Sequence, residues 1–289
     1  MLDSVVNAAV SGLIIGSLYA IMAIGLTVIY GVSHVFNFAH GHVAVIGAYV
    51  TWLLFSVVGI GLWLGIGVAL VFMVAFGWLM YQFTIRYLLR RKGWEFATLL
   101  FTLGFAILLE FGLLELFGPR IKSLPVFFRG RLNLGFGTVG WHEVALIGSS
   151  IGILLLLAMF LKRTTLGQAM RAVSQSMPGA RIVGIDTDRV FGYTFALAFV
   201  LTGVSGVLLG TKVFMNPHIG WEWMIKGFII VTFGGLGNPF GAALAAFALG
   251  VIEAEVTLFA GDLWIWPAWL LTFILTLSLR PQGLLGSRT

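Results

Sequence analysis

Apolar residues fall along this chain in long unbroken blocks, without the two-residue alternation of strands or the single stripe of a soluble helix. From Ser4 to Ile85, 82 consecutive residues include no Asp, Glu, Lys or Arg. A helix crossing a bilayer needs about 20 mostly apolar residues, so this block alone holds several spans. Charges and turn residues cut the chain into eight apolar runs, near 5–30, 43–58, 62–85, 96–118, 144–161, 190–210, 227–259 and 264–279. The seventh is interrupted by Gly234–Gly241 and counts as two passes, the first too short to cross fully. The pattern predicts an all-α, polytopic transmembrane helical bundle with broken or re-entrant helices. It has about eight to nine membrane segments and forms one domain, 1–289.

Composition narrows this further. Of 289 residues, 60% are hydrophobic and 10% are charged, with 38 Gly against 7 Pro. A soluble domain carries roughly a quarter charged residues, and disorder requires low hydrophobicity with high charge. Both classes are excluded. The absence of cysteine removes disulfides, thiolate metal sites and thiol nucleophiles. The start, Met1-Leu2-Asp3-Ser4, lacks a basic n-region, so the first span is expected to be retained.

The net charge of +6 reads as topology, not as nucleic-acid binding. With Arg86–Glu95 in the cytoplasm, the inside set is Arg86, Arg90, Arg91, Lys92, Lys162, Arg163, Arg171, Arg181, Arg189, Arg280 and Arg288. Only Arg120, Lys122, Arg129, Arg131, Lys212 and Lys226 fall outside. That bias obeys the positive-inside rule and predicts N-terminus out, C-terminus in. Trp141, Trp221, Trp223, Trp264, Trp266 and Trp269 are expected near the outer interface.

Two glycine-rich interruptions, Gly31–His42 and Gly234–Gly241, occupy comparable places in the two halves. Paired interruptions of this kind point to a transport pathway, with Asn37, His40, Gly41, Gly234, Gly235, Gly237, Asn238 and Gly241 as its candidates. The alternative is a pair of ordinary cytoplasmic turns. Asn37 and His40 either shape the path or satisfy the backbone of the break. A metal site of His34, His40 and His42 is disfavoured, because no carboxylate or cysteine adjoins them. Glu110 and Glu253 sit inside apolar runs, where a lone carboxylate costs several kcal/mol. They either meet the ammonium group of a zwitterionic substrate or pair with Lys212, Lys226 or a partner's base; structural pairing is favoured.

Covalent chemistry finds no support. No Lys is preceded by Gly, so the phosphate-cradling loop is missing, and there is no HExxH pair. The chain reads as no enzyme, with no cofactor or metal bound. The most informative polar stretch is 162–189, KRTTLGQAMRAVSQSMPGARIVGIDTDR. Thr164 or Thr165 can cap a short helix there, followed by a second piece turning back at Gly179 and Gly184. A solvated basic loop is the plainer reading.

The string from Thr164 to Gly210, TTLGQAMRAVSQSMPGARIVGIDTDRVFGYTFALAFVLTGVSGVLLG, resembles the inner loop and following span of branched-chain amino acid ABC transporter permeases. Phe36-Asn37-Phe38-Ala39-His40-Gly41, the run VTFGGLGNPFGA and the terminal RPQGLLG resemble that family too, and the length is similar to its shorter subunit. The resemblance implies a multi-pass inner-membrane permease subunit of an importer for branched-chain amino acids or related small carboxylates and amides. It also implies a second homologous permease chain, two cytoplasmic ATPase subunits carrying ATP and Mg, and a periplasmic solute-binding protein. Gly167, Arg171, Ala172, Ala180, Gly184 and Ile185 then match the coupling helices that dock on the ATPase. Met177-Pro178 departs from the family pattern and is expected to break the coupling helix. Rivals are a sugar-type ABC permease and a self-sufficient secondary transporter or channel.

Overall fold

A computed structural model of the chain describes residues 2–133 and 138–286. Its helices are α1 (Leu2–Ser33), α2 (His40–Ser56), α3 (Leu62–Leu88), α4 (Trp94–Phe117), α5 (Trp141–Arg163), α6 (Thr165–Gln175), α7 (Met177–Ile182), α8 (Thr187–Lys212), α9 (Ile219–Gly234), α10 (Pro239–Ala260) and α11 (Ile265–Leu279). Seven spans are long and apolar enough to cross a membrane: α1, α3, α4, α5, α8, α10, and α11 together with the 3-10 turn that leads into it, Asp262–Leu279. The other apolar helices, α2 and α9, have 17 and 16 residues. At about 1.5 Å per residue they fall short of a hydrocarbon core roughly 30 Å thick.

The centre of the bundle is α1, which packs against α10, α8, α5 and α9. Small residues allow the approach: Gly12 and Gly16 lie on the backbone of Gly250 and Ala246, and Gly31 meets Gly237, so α1 and α10 run antiparallel. Hydroxyls reinforce the contacts, with Ser205 donating to the Leu18 carbonyl at 3.0 Å and Ser150 to Ser17 at 2.6 Å. In lipid, where apolar surface gains little by leaving the solvent, close packing and such bonds hold helices together.

Several expectations change. The nearly all-helical fold stands with one small addition, the antiparallel pairing of Arg131–Asn133 with Thr138–Gly140 within the α4–α5 connection. Ile219–Lys226 belongs to α9 and not to an external loop, with Lys226 2% exposed. Trp223 and Trp269 are equally buried, whereas Trp141 and Trp264 are exposed. For Trp269 an indole N–H that reaches a carboxylate explains this, as shown below. Arg86, Arg90 and Arg181 do gather around one cavity, at what is here named the basic end; Arg288 lies outside the described residues.

Candidate functional site

The two short helices start inside the bundle and their first turns touch. The first break, after Ser33, turns back so that His40 lies beside the middle of α1, its Nε2 3.0 Å from the Met22 carbonyl and 2.8 Å from Thr202 Oγ1. Between α8 and α9 the chain also turns inward, after Met215 has bridged Lys122 in antiparallel fashion. The second residue of α2, Gly41, then meets the second residue of α9, Gly220. A Cβ on Gly41 would lie 1.9 Å from the Gly220 oxygen, so only glycine fits. One residue on, the His42 and Trp221 rings meet edge to face at 5.0 Å.

Two helix N-termini meeting head to head bring together positive dipole ends and unused N–H groups. Glu110 of α4 supplies the negative charge. Its Oε2 accepts from Trp221 Nε1 at 2.7 Å, its Oε1 pairs closely with His218 Nδ1, and His42 Nε2 is 3.9 Å away. His42 is fully buried and neither ring nitrogen has a hydrogen-bond partner among the described residues; Asn37 Nδ2 is in the same state. Asn37 Oδ1 accepts from the Ala39 amide at 3.1 Å, closing the turn that starts α2. His34 follows α1 in the left-handed region (φ 56°), its ring tilted 59° to that of Tyr30, and among the described residues it forms no metal-type cluster with His40 and His42.

The second carboxylate, Glu253, also finds a base. Lys226 lies 2.9 Å from Glu253 Oε1 and 3.0 Å from Glu222 Oε1, and it donates to the Tyr19 hydroxyl at 2.9 Å. Trp269 Nε1 donates to Glu253 Oε2 at 3.0 Å. This network ties α1, α9, α10 and α11 together. Structural pairing with Lys226 thus holds for Glu253, whereas Glu110 pairs with imidazole and indole.

Gly234 and Gly241 sit back to back in the turn joining α9 to α10, at the basic end. Asn238 caps α10 through Oδ1, accepting from Phe240 and Gly241 amides at 3.1 Å, and donates Nδ2 to the Leu285 carbonyl. In return the amides of Leu284 and Leu285 donate to Phe233 and Gly234, satisfying the open end of α9. Gly235 and Gly237 carry the positive φ values of that turn. By position in the bundle, the counterpart of 34–39 is therefore 213–218. The signal for it was in the sequence: Asn37-Phe-Ala-His-Gly41-His42 and Asn216-Pro-His-Ile-Gly220-Trp221 share the spacing of Asn, Gly and aromatic ring. The sequence names Lys226 as a pairing partner for Glu110 and Glu253 and His42 only as a disfavoured metal ligand; it does not mark His218, Trp221, Tyr19 or Trp269 as site residues.

At the basic end, 164–186 folds as two capped helices. Thr164 Oγ1 accepts from the Gly167 amide at 3.0 Å, and Ser176 Oγ from Gly179 at 3.1 Å. Pro178 falls in the first turn of α7, where its missing N–H costs nothing; the break comes earlier, at Ser176. Gly167 is pressed on the Phe160 backbone and Ala180 is buried, which fixes both helices to the bundle. Gly184 (φ 85°) ends α7 with Ile185 N–H bonded to Ala180 O and its own N–H to Arg181 O, the Schellman pattern. Arg171 faces outward, Ala172 and Ile185 are half-buried, and Ile182 and Val183 are 86% and 74% exposed.

A helical membrane bundle, with two broken helices meeting beside a buried carboxylate and a rigid helical hairpin at its basic end, has the parts of a transport protein. Residues 8–279 match the family described as the branched-chain amino acid transport system permease component. The chain belongs to that family. It is 31% identical over 290 residues to the high-affinity branched-chain amino acid permease protein LivH of Escherichia coli K12, covering 96% of this chain and 94% of LivH. BraD of Pseudomonas aeruginosa, a permease protein of the same description, is 29% identical over 291 residues, 96% of this chain and 94% of its own length. The autoinducer 2 import permease LsrC of Salmonella paratyphi B is 27% identical over 154 residues, 51% of this chain and 41% of LsrC. Similarity to the amino acid permeases thus runs the length of the chain, and similarity to LsrC covers half of it.

Proposed function

We propose that this chain is the membrane permease subunit of an ATP-driven importer for branched-chain amino acids or closely related small carboxylates and amides. It sits in a bacterial-type inner membrane with its basic end in the cytoplasm. A second homologous permease chain, two ATPase subunits and a periplasmic solute-binding protein complete the importer, and ATP with Mg acts on the ATPases. The chain itself performs no covalent chemistry.

The observation that carries this reading is the α6–α7 hairpin. Its inner faces are clamped by Gly167 and Ala180, while Arg171, Ile182 and Val183 project. A rigid, projecting, apolar-tipped pair of helices transmits a push; a solvated loop does not. Closure of the ATPases moves α6 and α7, and the movement reaches α1 and α8, against which α6 packs. At the other end, substrate enters from the binding protein over the segments 119–140 and 213–218. The junction of α2 and α9 beside Glu110 lies on the route, since both breaks and the buried carboxylate converge there.

The test is reconstitution of the full importer in proteoliposomes. Arg171→Glu is expected to lower uptake at least ten-fold while ATP hydrolysis continues, because a reversed charge at a docking surface weakens coupling without touching the bundle. Uptake by this chain alone, driven by an ion gradient, would overturn the reading in favour of a secondary transporter.

A further inference from the structure

We infer that a groove between α3 and α8, at the basic end and open to the side of the bundle, is a binding site for an aminophospholipid headgroup of the phosphatidylethanolamine type. The cavity is about 440 Å³. It is lined at its α8 side by Gly192, against which the Trp78 ring packs so closely that a Cβ there would lie 3.4 Å from it, and at its α3 side by Gln82 as well. Its polar rim carries two cations, Arg86 and Arg189, and two anions, Asp186 and Asp188. Its apolar flanks are Trp78 and Tyr193, both more than 40% exposed.

The position fits a lipid. Helix α3 has 27 residues, roughly 40 Å at 1.5 Å per residue, so its last turns pass beyond a hydrocarbon core of about 30 Å into the headgroup layer. Arg86 stands in those last turns, and Trp and Tyr are the residues of the interface. Just before Arg86 the helix widens into a π-helical turn, Tyr81–Ile85, a local irregularity common at functional positions. It brings the Tyr81 hydroxyl within 3.4 Å of Asp188. Leu79 and Phe83 continue the exposed apolar surface along α3, where acyl chains would lie.

Charge selects among lipids. The four ionised residues lining the groove sum to zero, and Arg90, which shares Asp188 from outside it, leaves the surroundings one charge positive, so the phosphate is drawn in and the half-exposed Asp186 is what discriminates by accepting from an ammonium. A zwitterion with phosphate and primary ammonium matches it group for group. Arg86 gives its Nε to Asp188 at 3.1 Å, and Arg189 its Nε to Asp186 at 3.0 Å; a guanidinium has further N–H donors for a phosphate. Asp186 caps α8 through Oδ1 on the Arg189 amide and is half-exposed, so its remaining lone pairs can accept from an ammonium. A quaternary choline has no N–H to give, and a glycerol headgroup has no cation. Arg90 also bonds Asp188, at 2.8 Å, from the side of a neighbouring cavity shared with Arg181. The groove is therefore joined to the α7–α8 turn, and an occupied site stiffens the base of the coupling hairpin.

The experiment exchanges the purified importer into mixed micelles of equal phosphatidylethanolamine, phosphatidylcholine and phosphatidylglycerol, and counts retained lipids by native mass spectrometry. The expected result is one phosphatidylethanolamine per copy of this chain, enriched about five-fold over the other two, the scale of one charge at a membrane surface. Asp186→Asn keeps the helix cap, since Asn caps as well as Asp, and is expected to abolish the preference for ethanolamine over choline. Arg189→Gln is expected to lower retention of all three lipids at that site about five-fold. Equal retention of the three by the wild type, preference for phosphatidylglycerol, or an unchanged preference in Asp186→Asn would each overturn the assignment. Both variants are to be compared with the wild type in monodispersity, so that misfolding is seen as such.

Discussion

Helices α1 and α5 are both spans of apolar residues, yet they live in different surroundings. The most hydrophobic part of α1 is 89% buried by its neighbours, and that of α5 is 17% buried. The exposed helix is the more apolar of the two. In water that order would be reversed. In a bilayer the lipid tails accept leucine as readily as the protein interior does, so hydrophobicity cannot drive helix against helix. What distinguishes the buried helices is smallness and polarity: Gly12, Gly16, Ser17 and Gly25 on α1, and Gly203, Ser205 and Gly206 on α8, against a run such as Leu154–Leu157 on α5. Burial separates α8, 78% buried, from the span ending in α11, 11% buried, just as widely, although there the buried helix is the slightly more apolar one, so hydropathy does not sort buried from exposed spans.

The largest effect expected from breaking this contrast is at Lys226. Lys226→Met leaves Glu253 buried with only Tyr19 and Trp269 beside it, and an uncompensated buried charge costs about 3–5 kcal/mol. The matching change at the periphery, Arg189→Met, breaks an exposed pair with Asp186 and costs at most about 1 kcal/mol. Thermal inactivation of the detergent-solubilised importer should separate the two, and equal losses would show that the Lys226 network is not a structural tie. Glycine substitutions come next. A Cβ at Gly206 would sit 1.9 Å from the Ala44 oxygen, so Gly206→Ala forces α2 and α8 apart at about 1–3 kcal/mol. At Gly104 of α4 a Cβ meets nothing within 4 Å, and Gly104→Ala is expected to be neutral or to stabilise by about 0.5–1 kcal/mol. The same measurement reads both.

This explains what could be read from the chain and what could not. The spans were legible because hydropathy reports contact with lipid or protein alike. The breaks were legible where they were rich in glycine, but glycine density does not report depth in the bundle. Gly234–Gly241 has four glycines and is a turn at the end of two helices, whereas 213–218 has none and carries the inward-turning start of α9. What marks depth is the pairing of Gly41 with Gly220, a relation between positions 179 residues apart (220 − 41) that only packing brings together. Glu110 and Glu253 were conspicuous as carboxylates in apolar runs. Lys226 was legible as a partner for Glu253, whereas His218 and Trp221 look like interface residues until the helix they share is in place. In 164–186 the first helix was legible through its cap, Thr164, whereas the cap of the second, Ser176, was not, and Pro178 starts that helix because of where it falls.

The smallest effect compares two lysines, and it has a sign in pH. Lys226 is held by carboxylates, but Lys122, just beyond the C-terminal end of α4, has only neutral partners among the described residues. It donates to the carbonyls of Phe117 and Arg120 at 2.9 and 3.2 Å and lies 5.4 and 5.0 Å from the Tyr49 and Trp52 rings. Burial holds its ammonium below the ordinary lysine value of 10.5, and the nearby Arg120 charge acts in the same direction. The folded state therefore releases this proton at a lower pH than the unfolded state does. Between the lowered value and 10.5 the unfolded chain binds more protons, and stability contributed by this residue rises with pH. The burden is fully present below that window and relieved above it. Lys122→Met has no such proton, so the difference in melting temperature between wild type and variant should move in favour of the wild type as pH is raised toward 10.5. A difference that stays flat would mean that the carbonyls and rings compensate the lost water in full, and that the edge of the bundle holds a cation as comfortably as its centre does.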